Sequence, residues 1–253
     1  MLSDKFKQAH SLRQIRKRQD QQHSKLPAQI KRTKHRSALR ELLLYRFQLR
    51  RKREREIKMN EKNYVLASSS PRRIEMMRAH GLEPTIIPAD IEENLPAIGG
   101  MNETVMFLAL KKSKAVEALI LSGDKIITPG SVIIAADTVV YKDRIMGKPS
   151  NFQDAYKMLT ALRGTWHYVA TGVALVCAGE NNARVFTDVT KVYFKNYSDE
   201  DLLEYLKTDE AYDKAGGYAI QGYFSKYVEK IEGCYDTVVG FPWDRIQEEI
   251  SKL

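Results

Sequence analysis

The stretch that decides the fold is Leu66-Ala67-Ser68-Ser69-Ser70-Pro71-Arg72-Arg73. The apolar residues before it predict a strand over residues 64–67, and the hydroxyl-rich turn leads into a helix predicted over residues 72–80. Ser70 is a favourable N-cap residue, and Pro71 falls at the first helical position, where a missing N–H has no cost. A helix N-terminus attracts anions through its unpaired N–H groups and its partial positive charge. The stretch therefore indicates either a phosphate-binding turn or a capped helix with two solvated arginines, and it favours both equally.

Charge is divided unevenly along the chain. The 253 residues carry a net charge of +9, but residues 1–60 hold 19 Lys and Arg against 5 Asp and Glu, a net charge of +14. Residues 61–253 hold 22 basic and 27 acidic residues and therefore carry −5. The basic character belongs to an extension, so it says nothing about nucleic-acid binding by the rest of the chain.

Composition narrows the class of protein. A hydrophobic content of 43% is that of an ordinary globular domain with a core. No apolar run approaches the roughly 20 residues that span a bilayer. Cys177 and Cys234 have no metal-ligand spacing and indicate no disulfide framework, which fits a reducing compartment. We therefore expect no membrane span and a cytoplasmic location.

The basic extension, residues 1–60, is predicted to be largely disordered or helical. Residues 1–36 are polar with almost no apolar periodicity, which predicts disorder. Residues 37–59 favour a helix with one apolar face, formed by Leu39, Leu42, Leu43 and Phe47. This helix could be solvated or weakly docked, could bind nucleic acid or an anionic membrane, or could belong to an organelle-targeting leader. Residues 61–253 are predicted to form the folded domain.

Strands and helices alternate after residue 63. Further strands are predicted over residues 83–88, 131–140, 168–178 and 184–194. Further helices are predicted over residues 103–121, 151–162, 199–207, where Ser198 is the expected cap, and 242–252. This order predicts an α/β fold with a mixed sheet that curves around a cleft.

Asp137 is the leading candidate for chemistry. It follows the apolar run 132–136, which places it at the expected carboxyl end of a buried strand, where α/β folds bind ligands. Partial burial there suits a general base. A capping or turn aspartate is the commoner alternative.

Three weaker motifs also carry candidate residues. Lys148, in Gly147-Lys148-Pro149, could bind phosphate or could simply be solvated. The acidic loop 88–93 could supply oxygen ligands for a divalent cation or could be an ordinary surface loop. Residues 213–222 contain Gly216 and Gly217, which permit close approach of a ligand, and Gln221, which could recognise a base edge. A Gly-rich structural turn explains that last stretch equally well.

Together these segments resemble the Maf family of nucleotide pyrophosphatases, relatives of the inosine-triphosphate pyrophosphatase fold. The resemblance covers residues 64–253 and rests on residues 66–73, 136–139, 147–149, 171–173, 213–222, 231–233 and 238–242. It implies a mixed, curved β-sheet flanked by helices around a central nucleotide cleft. It also implies cleavage of a nucleoside triphosphate between its α and β phosphates, which yields the monophosphate and pyrophosphate.

The resemblance also assigns roles to residues. Asp137 matches the family's proton acceptor, and Glu93 and Asp137 would hold a divalent cation, Mg²⁺ or Mn²⁺. The residues expected around the triphosphate are Ser68, Ser70, Arg73, Lys112 and Lys148. Arg72, Thr138 and Gln221 fall where substrate subgroups differ, and their combination resembles the branch that acts on dTTP and UTP. Modified pyrimidine nucleotides are possible further substrates, and a homodimer is expected.

The extension has no counterpart in typical members of the family. It supports an alternative hypothesis of a different class, in which the chain senses nucleotides or associates with nucleic acid through residues 1–60. An intact Asp137, Glu93 and Lys148 favour catalysis, because a sensor could dispense with the base.

Overall fold

The computed structural model describes Leu44, Phe47 and residues 62–92, 99–125, 127–128 and 130–253. The chain divides into two units, Met1–Glu54 and Arg55–Leu253. In the first unit, Leu44 and Phe47 lie in a helix with exposed side chains. The other residues of the predicted helix 37–59, and the predicted disorder over 1–36, lie outside the described residues.

The second unit is built on one mixed sheet. Within the described residues it contains seven strands: β1 (Tyr64–Leu66), β2 (Thr85–Ile86), β3 (Val132–Lys142), β4 (Arg144–Met146), β5 (Trp166–Cys177), β6 (Ala183–Phe194) and β7 (Val228–Glu232). Their order is β2-β1-β3-β5-β6-β7, and β4 pairs with β3. β1 runs parallel to β2 and β3, whereas the pairs from β3 through β5 and β6 to β7 are antiparallel. The predicted mixed sheet is confirmed.

Six α-helices of the described residues accompany the sheet. They are α1 (Pro71–Ala79), α2 (Met101–Leu121), α3 (Phe152–Leu162), α4 (Asp199–Tyr205), α5 (Tyr235–Val239) and α6 (Trp243–Ile250). The helices predicted after residue 63 are therefore present, with ends that differ by a few residues. Ser198 caps α4 as expected, because its Oγ accepts from the backbone N–H of Asp201 at 3.1 Å.

Two sequence predictions need correction. The strand predicted over 83–88 is only two residues long, and prolines at both ends of that segment explain why it cannot extend its ladder. Ser70 occupies the N-cap position of α1, but its side chain makes no capping hydrogen bond. The turn is organised by Ser68 instead.

Helices cover both faces of β3. Ile133 and Ala135 belong to a cluster with Val116 of α2, whereas Ile134 lies in the opposite cluster with Met77 of α1 and Ile246 of α6. Successive side chains of a strand point to opposite faces, so two covered faces require a continuous apolar run rather than an alternating one. This explains why residues 132–136 are all fully buried.

A separate aromatic cluster closes the end of the sheet near α3 and α4. Phe194, Tyr218 and Phe224 pack with ring centroids 4.8 to 6.5 Å apart. Tyr218 also lines the cleft described below, so this cluster supports one wall of it. Among the described residues, no helix combines the length and apolar content needed to cross a bilayer.

Candidate active site

A cleft of about 640 Å³ opens beyond the end of β1. β1 stops at Leu66, opposite Ile134, while β3 continues to Lys142. In the described sheet, residues 135–139 of β3, between the end of β1 and the start of the pairing with β4, therefore have no strand partner on that side. Eight of the ten residues predicted for the site line this cleft: Ser68, Ser70, Arg72, Arg73, Lys112, Asp137, Thr138 and Lys148.

The sequence predicts Asp137 at the carboxyl end of a strand. In the structure it lies inside β3 instead. The strand continues for five residues beyond it, because β4 and β5 pair with this part of the strand. Asp137 still reaches ligand-accessible space, since it comes after the point where β1 ends. The predicted position at the end of its own strand is therefore wrong. Asp137 does lie just beyond the carboxyl end of β1, the neighbouring parallel strand.

Ser68 organises the turn between β1 and α1. Its Oγ accepts a hydrogen bond from the backbone N–H of Ser70 and another from Arg73 Nη1, both at 3.2 Å. A hydroxyl has two acceptor lone pairs and one hydrogen. With both lone pairs engaged, the Ser68 hydrogen is left to donate, which suits a phosphate oxygen at the N-terminus of α1.

Arg73 ties three segments together. Its Nε donates to the carbonyl of Gly240 at 3.0 Å, and Nη1 donates to the carbonyl of Ala136 at 2.8 Å as well as to Ser68. The guanidinium is half-buried and brings its charge to the cleft wall while it holds the turn, β3 and the end of α5 in register. The contacts fit a supporting role more closely than that of a solvated arginine.

Asp137 and Lys112 form a buried ion pair at the floor of the cleft. Lys112 Nζ lies 2.6 Å from Asp137 Oδ1, and the side chains are only 12% and 10% exposed. Lys112 comes from α2, which approaches the sheet closely over Gly172, the residue directly opposite Asp137 in the β3–β5 register. A general-base candidate and a basic group are therefore held together at the place where β3 is uncovered.

Lys148 and the Gly-rich segment form the opposite wall. Lys148 is exposed, and its Nζ lies 3.7 Å from Asp213 Oδ1, while Lys214 donates to the other carboxylate oxygen. The hydrogen bond from Lys214, with the charges of Lys214, Lys148 and Arg72, lowers the pKa of Asp213. Asp213 stays ionised and holds two lysines at the cleft mouth.

Three charged or aromatic residues of the described lining, Asp213, Lys214 and Tyr218, were not among the predicted site residues. The stretch 213–222 is singled out by its glycines and by Gln221, and the sequence predicts no role for Asp213 or Lys214 within it. Their adjacency to two glycines was the available signal, because the backbone there can approach a ligand.

Two predicted residues are not brought to the cleft lining. Gln221 is exposed in a turn just beyond Ile220 and is not among the described residues that line the cleft. Glu93 lies outside the described residues. In the part of the chain that the structure describes, no group of three His, Cys, Asp or Glu side chains could hold a metal ion by itself.

The fold and the site together define an α/β protein with a basic, hydroxyl-lined cleft and a buried carboxylate, an arrangement suited to binding and hydrolysing a polyanion. Comparison with known proteins makes this specific. Residues 63–253 match the family described as Maf-like protein. The chain belongs to this family, as the sequence motifs predicted.

Curated relatives extend the comparison. The dTTP/UTP pyrophosphatase of Caldicellulosiruptor bescii is 42% identical over 193 residues, which cover 76% of this chain and 95% of the relative. The dTTP/UTP pyrophosphatase of Acetivibrio thermocellus is 43% identical over 191 residues, or 73% of this chain and 92% of the relative. Among solved structures, the Ham1 protein of Staphylococcus aureus is similar with a TM-score of 0.40 and 14% identity, covering 76% of this chain and 99% of that one.

Proposed function

We propose that this chain hydrolyses dTTP and UTP between the α and β phosphates and releases the monophosphate and pyrophosphate. Relatives with that activity in their names are about 40% identical over almost their whole length. The observation that carries the proposal is the buried ion pair of Asp137 and Lys112 inside a cleft lined by further basic residues. It provides a base and charge neutralisation where a triphosphate would lie.

The triphosphate is bound mainly by positive charge and hydrogen-bond donors. Phosphoryl chemistry needs positioning and neutralisation of phosphate charge more than covalent help. Lys112 supplies charge at the floor of the cleft, and Lys148 and Lys214 supply it from the opposite wall. The Ser68 hydroxyl and the N-terminus of α1 supply donors, and the charge of Arg73 supports them.

Asp137 is the proton acceptor for the attacking water. Its carboxylate is paired with Lys112, which compensates its negative charge. A triphosphate offers Lys112 a second set of anionic oxygens. As Lys112 shares its hydrogen bonds with the phosphates, the Asp137 carboxylate gains freedom to accept a proton from water.

The donor set fits a divalent cation that arrives with the substrate. Mg²⁺ commonly takes one or two protein carboxylates and completes its shell with water and substrate phosphates. Asp137, with Glu93 as proposed partner, would supply those carboxylates to Mg²⁺ or Mn²⁺. The cation would neutralise phosphate charge and polarise the reacting phosphorus.

Base recognition is proposed for Arg72, Thr138 and Gln221. Arg72 and Thr138 lie in the cleft lining, and Gln221 follows Ile220, which also lines it. Uracil and thymine present one N–H donor flanked by two carbonyl acceptors. The Gln221 amide offers one acceptor and two donors, so it can complement that edge.

The alternative hypothesis has no support in the two curated relatives reported above, since both are named as pyrophosphatases. The cytoplasmic location, the homodimer and any nucleic-acid contact through residues 1–60 stay predictions.

The substitution Asp137→Asn tests the proposal. It removes the proton acceptor but keeps an oxygen that can accept from Lys112. We expect the turnover of dTTP to fall by about 10²- to 10⁴-fold, the usual contribution of general acid–base catalysis. Binding of dTTP, measured by calorimetry, should persist, because the substitution removes a negative charge that would repel the triphosphate.

Asp124→Asn is the matched control, since Asp124 is exposed after the end of α2 and, among the described residues, accepts a hydrogen bond from Ser122 alone. It should leave turnover unchanged. A near-normal rate in Asp137→Asn would rule out Asp137 as the base.

A further inference from the structure

Three threonines form a continuous row of hydrogen bonds that begins at the cleft. Thr138 of β3 and Thr171 of β5 are directly opposite in the strand register, and their Oγ1 atoms lie 2.9 Å apart. Thr171 is fully buried, and its Oγ1 also bonds the backbone carbonyl of Thr237 in α5 at 2.8 Å. Thr237 in turn donates its own hydroxyl to Asp188, which is opposite Thr171 in the β5–β6 register.

The chemistry of these groups fixes the direction of each bond. A backbone carbonyl can only accept, so the single hydrogen of Thr171 is donated to Thr237. Thr171 has no second hydrogen for Thr138. The contact between the two hydroxyls is therefore made by the Thr138 hydrogen, and Thr171 accepts it.

This direction determines what Thr138 offers to the cleft. Its hydrogen points inward to Thr171, so only its oxygen lone pairs are available on the cleft side. Arg73 Nη2 already approaches that oxygen at 3.5 Å, which agrees with an acceptor. Thr138 is β-branched and stiff at χ1, and a Cβ added to Gly240 would lie 2.9 Å from its Oγ1, so little space remains for another rotamer.

We propose that Thr171 is a positioning residue that holds Thr138 as a hydrogen-bond acceptor toward the cleft. An acceptor at that position disfavours phosphate oxygens, which are themselves acceptors, and selects a donor of the nucleoside. The donor is either the imide N–H of the base or a sugar hydroxyl. The inference rests on the proposed function, because it assumes that a nucleotide binds in the cleft. It assigns part of the nucleotide selectivity to Thr171, a residue that the substrate does not touch.

The test replaces Thr171 with valine, which has nearly the same shape but no hydroxyl. The Thr138 hydrogen then loses its acceptor and can turn to the cleft, where it would oppose the donor of the substrate. We expect KM for dTTP to rise and kcat/KM to fall by about ten-fold, the effect of one hydrogen bond of typical strength. Thr171→Ser keeps the hydroxyl and should restore the kinetics of the wild type.

Two substrate analogues identify the donor. One is dTTP methylated at N3, which lacks the imide N–H, and the other is 3′-deoxythymidine triphosphate, which lacks the 3′ hydroxyl. The wild type should lose about ten-fold in kcat/KM on one of them. Thr171→Val should show no further loss on that same analogue, because its favourable contact is already gone.

Thr190→Val is the control for loss of a buried hydroxyl. Thr190 is fully buried in β6 and donates to the carbonyl of Cys234 at 2.9 Å, as Thr171 does to Thr237, but it does not line the cleft. This variant should melt at a lower temperature with unchanged KM.

If Thr171→Val does not fold, Thr171→Ala removes the same hydroxyl without adding a methyl group.

The inference is overturned if Thr171→Val or Thr171→Ala keeps the KM and the analogue discrimination of the wild type, or if Thr171→Ser fails to restore them. If the wild type cleaves no nucleotide at all, the proposed function is wrong. In that case the same comparison made on Kd, by calorimetry with dTTP and the two analogues, still decides the role of Thr171.

Discussion

The buried Lys112–Asp137 pair is an unfavourable feature for the stability of the fold, which bears on its proposed role in the site. Taking two charges out of water costs several kcal/mol each, and mutual attraction at 2.6 Å offsets this only in good geometry. Removing one partner of such a pair typically costs about 3–5 kcal/mol, because the other charge is left buried and uncompensated. A binding role for the pair explains its presence better than stability does.

His167 should make the folded state sensitive to acid. It is fully buried, and its Nε2 lies 2.7 Å from the hydroxyl of Tyr218. Burial, together with the charge of Lys142, lowers its pKa from 6.5 to about 3. Between these two pH values the unfolded chain binds the proton that the folded chain excludes, so the free energy of unfolding falls as the pH is lowered and is unaffected by His167 above about 6.5.

At pH 5 this loss should reach about 2 kcal/mol, since each pKa unit corresponds to about 1.36 kcal/mol. The measurement is urea unfolding at pH 7 and pH 5 of the wild type, His167→Gln and His80→Gln. The pH dependence should shrink in His167→Gln and persist in His80→Gln, because His80 is exposed. Equal pH dependence in all three proteins would contradict a buried neutral His167.

At the residue scale, most of the residues predicted for the site line the cleft, but their contacts differ from those that the sequence predicts. The sequence predicts that Ser70 caps α1 and that Arg73 is solvated or binds phosphate, whereas Ser70 makes no capping hydrogen bond and Arg73 donates to two backbone carbonyls. The residues whose carbonyls accept hydrogen bonds from Arg73, Ala136 and Gly240, lie 63 and 167 residues from it along the chain. No local pattern can reveal contacts of that separation.

At the scale of elements, the close packing of α2 on the sheet determines where Lys112 lies relative to Asp137. Gly172 of β5 is opposite Asp137, and an added Cβ would lie 2.3 Å from the backbone carbon and oxygen of Val105 in α2. A side chain at position 172 would therefore push the helix outward. Because α2 carries Lys112, the missing side chain lets the helix bring an ammonium group to Asp137.

Gly172→Ala should destabilise the fold and weaken activity together. Overpacking against a rigid neighbour costs about 1–3 kcal/mol, and a backbone clash belongs at the upper end of that range. The displaced Lys112 should also raise KM for the nucleotide. Gly147→Ala is the control for stability, because a Cβ there meets nothing within 4 Å and should change the unfolding free energy by less than about 0.5 kcal/mol.

Thermal melting and steady-state kinetics of both variants check this prediction. An unchanged melting temperature in Gly172→Ala would mean that α2 does not rest on this part of β5.

Element types could be predicted from sequence more securely than element lengths. The periodicity of residues 151–162 and the apolar run 132–136 were sufficient for α3 and for the start of β3. β3 ends at Lys142, beyond the predicted end at residue 140, because the β4 hairpin continues its ladder to Lys142. Such pairing depends on neighbours in the sheet rather than on the propensity of the residues themselves.

At the scale of the whole molecule, the excess of positive charge lies in residues 1–60, whereas the proposed reaction belongs to the rest of the chain. Residues 61–253 carry a net charge of −5, yet the cleft gathers Arg72, Arg73 and three lysines. A local concentration of one sign inside a concave site focuses the field on an anionic ligand, whatever the net charge of the domain. The match to the Maf-like family also begins at residue 63, after the basic extension. The proposed reaction is therefore assigned to residues 63–253.

The central claim is that this chain cleaves a nucleoside triphosphate between the α and β phosphates. The most direct measurement incubates the 253-residue chain with dTTP, UTP, ATP and GTP in the presence of Mg²⁺ or Mn²⁺ and identifies the products by anion-exchange chromatography. We predict dTMP or UMP with an equal amount of pyrophosphate, formed faster from dTTP and UTP than from the purine nucleotides. Nucleoside diphosphate with orthophosphate, or no product from any nucleotide, would contradict the account.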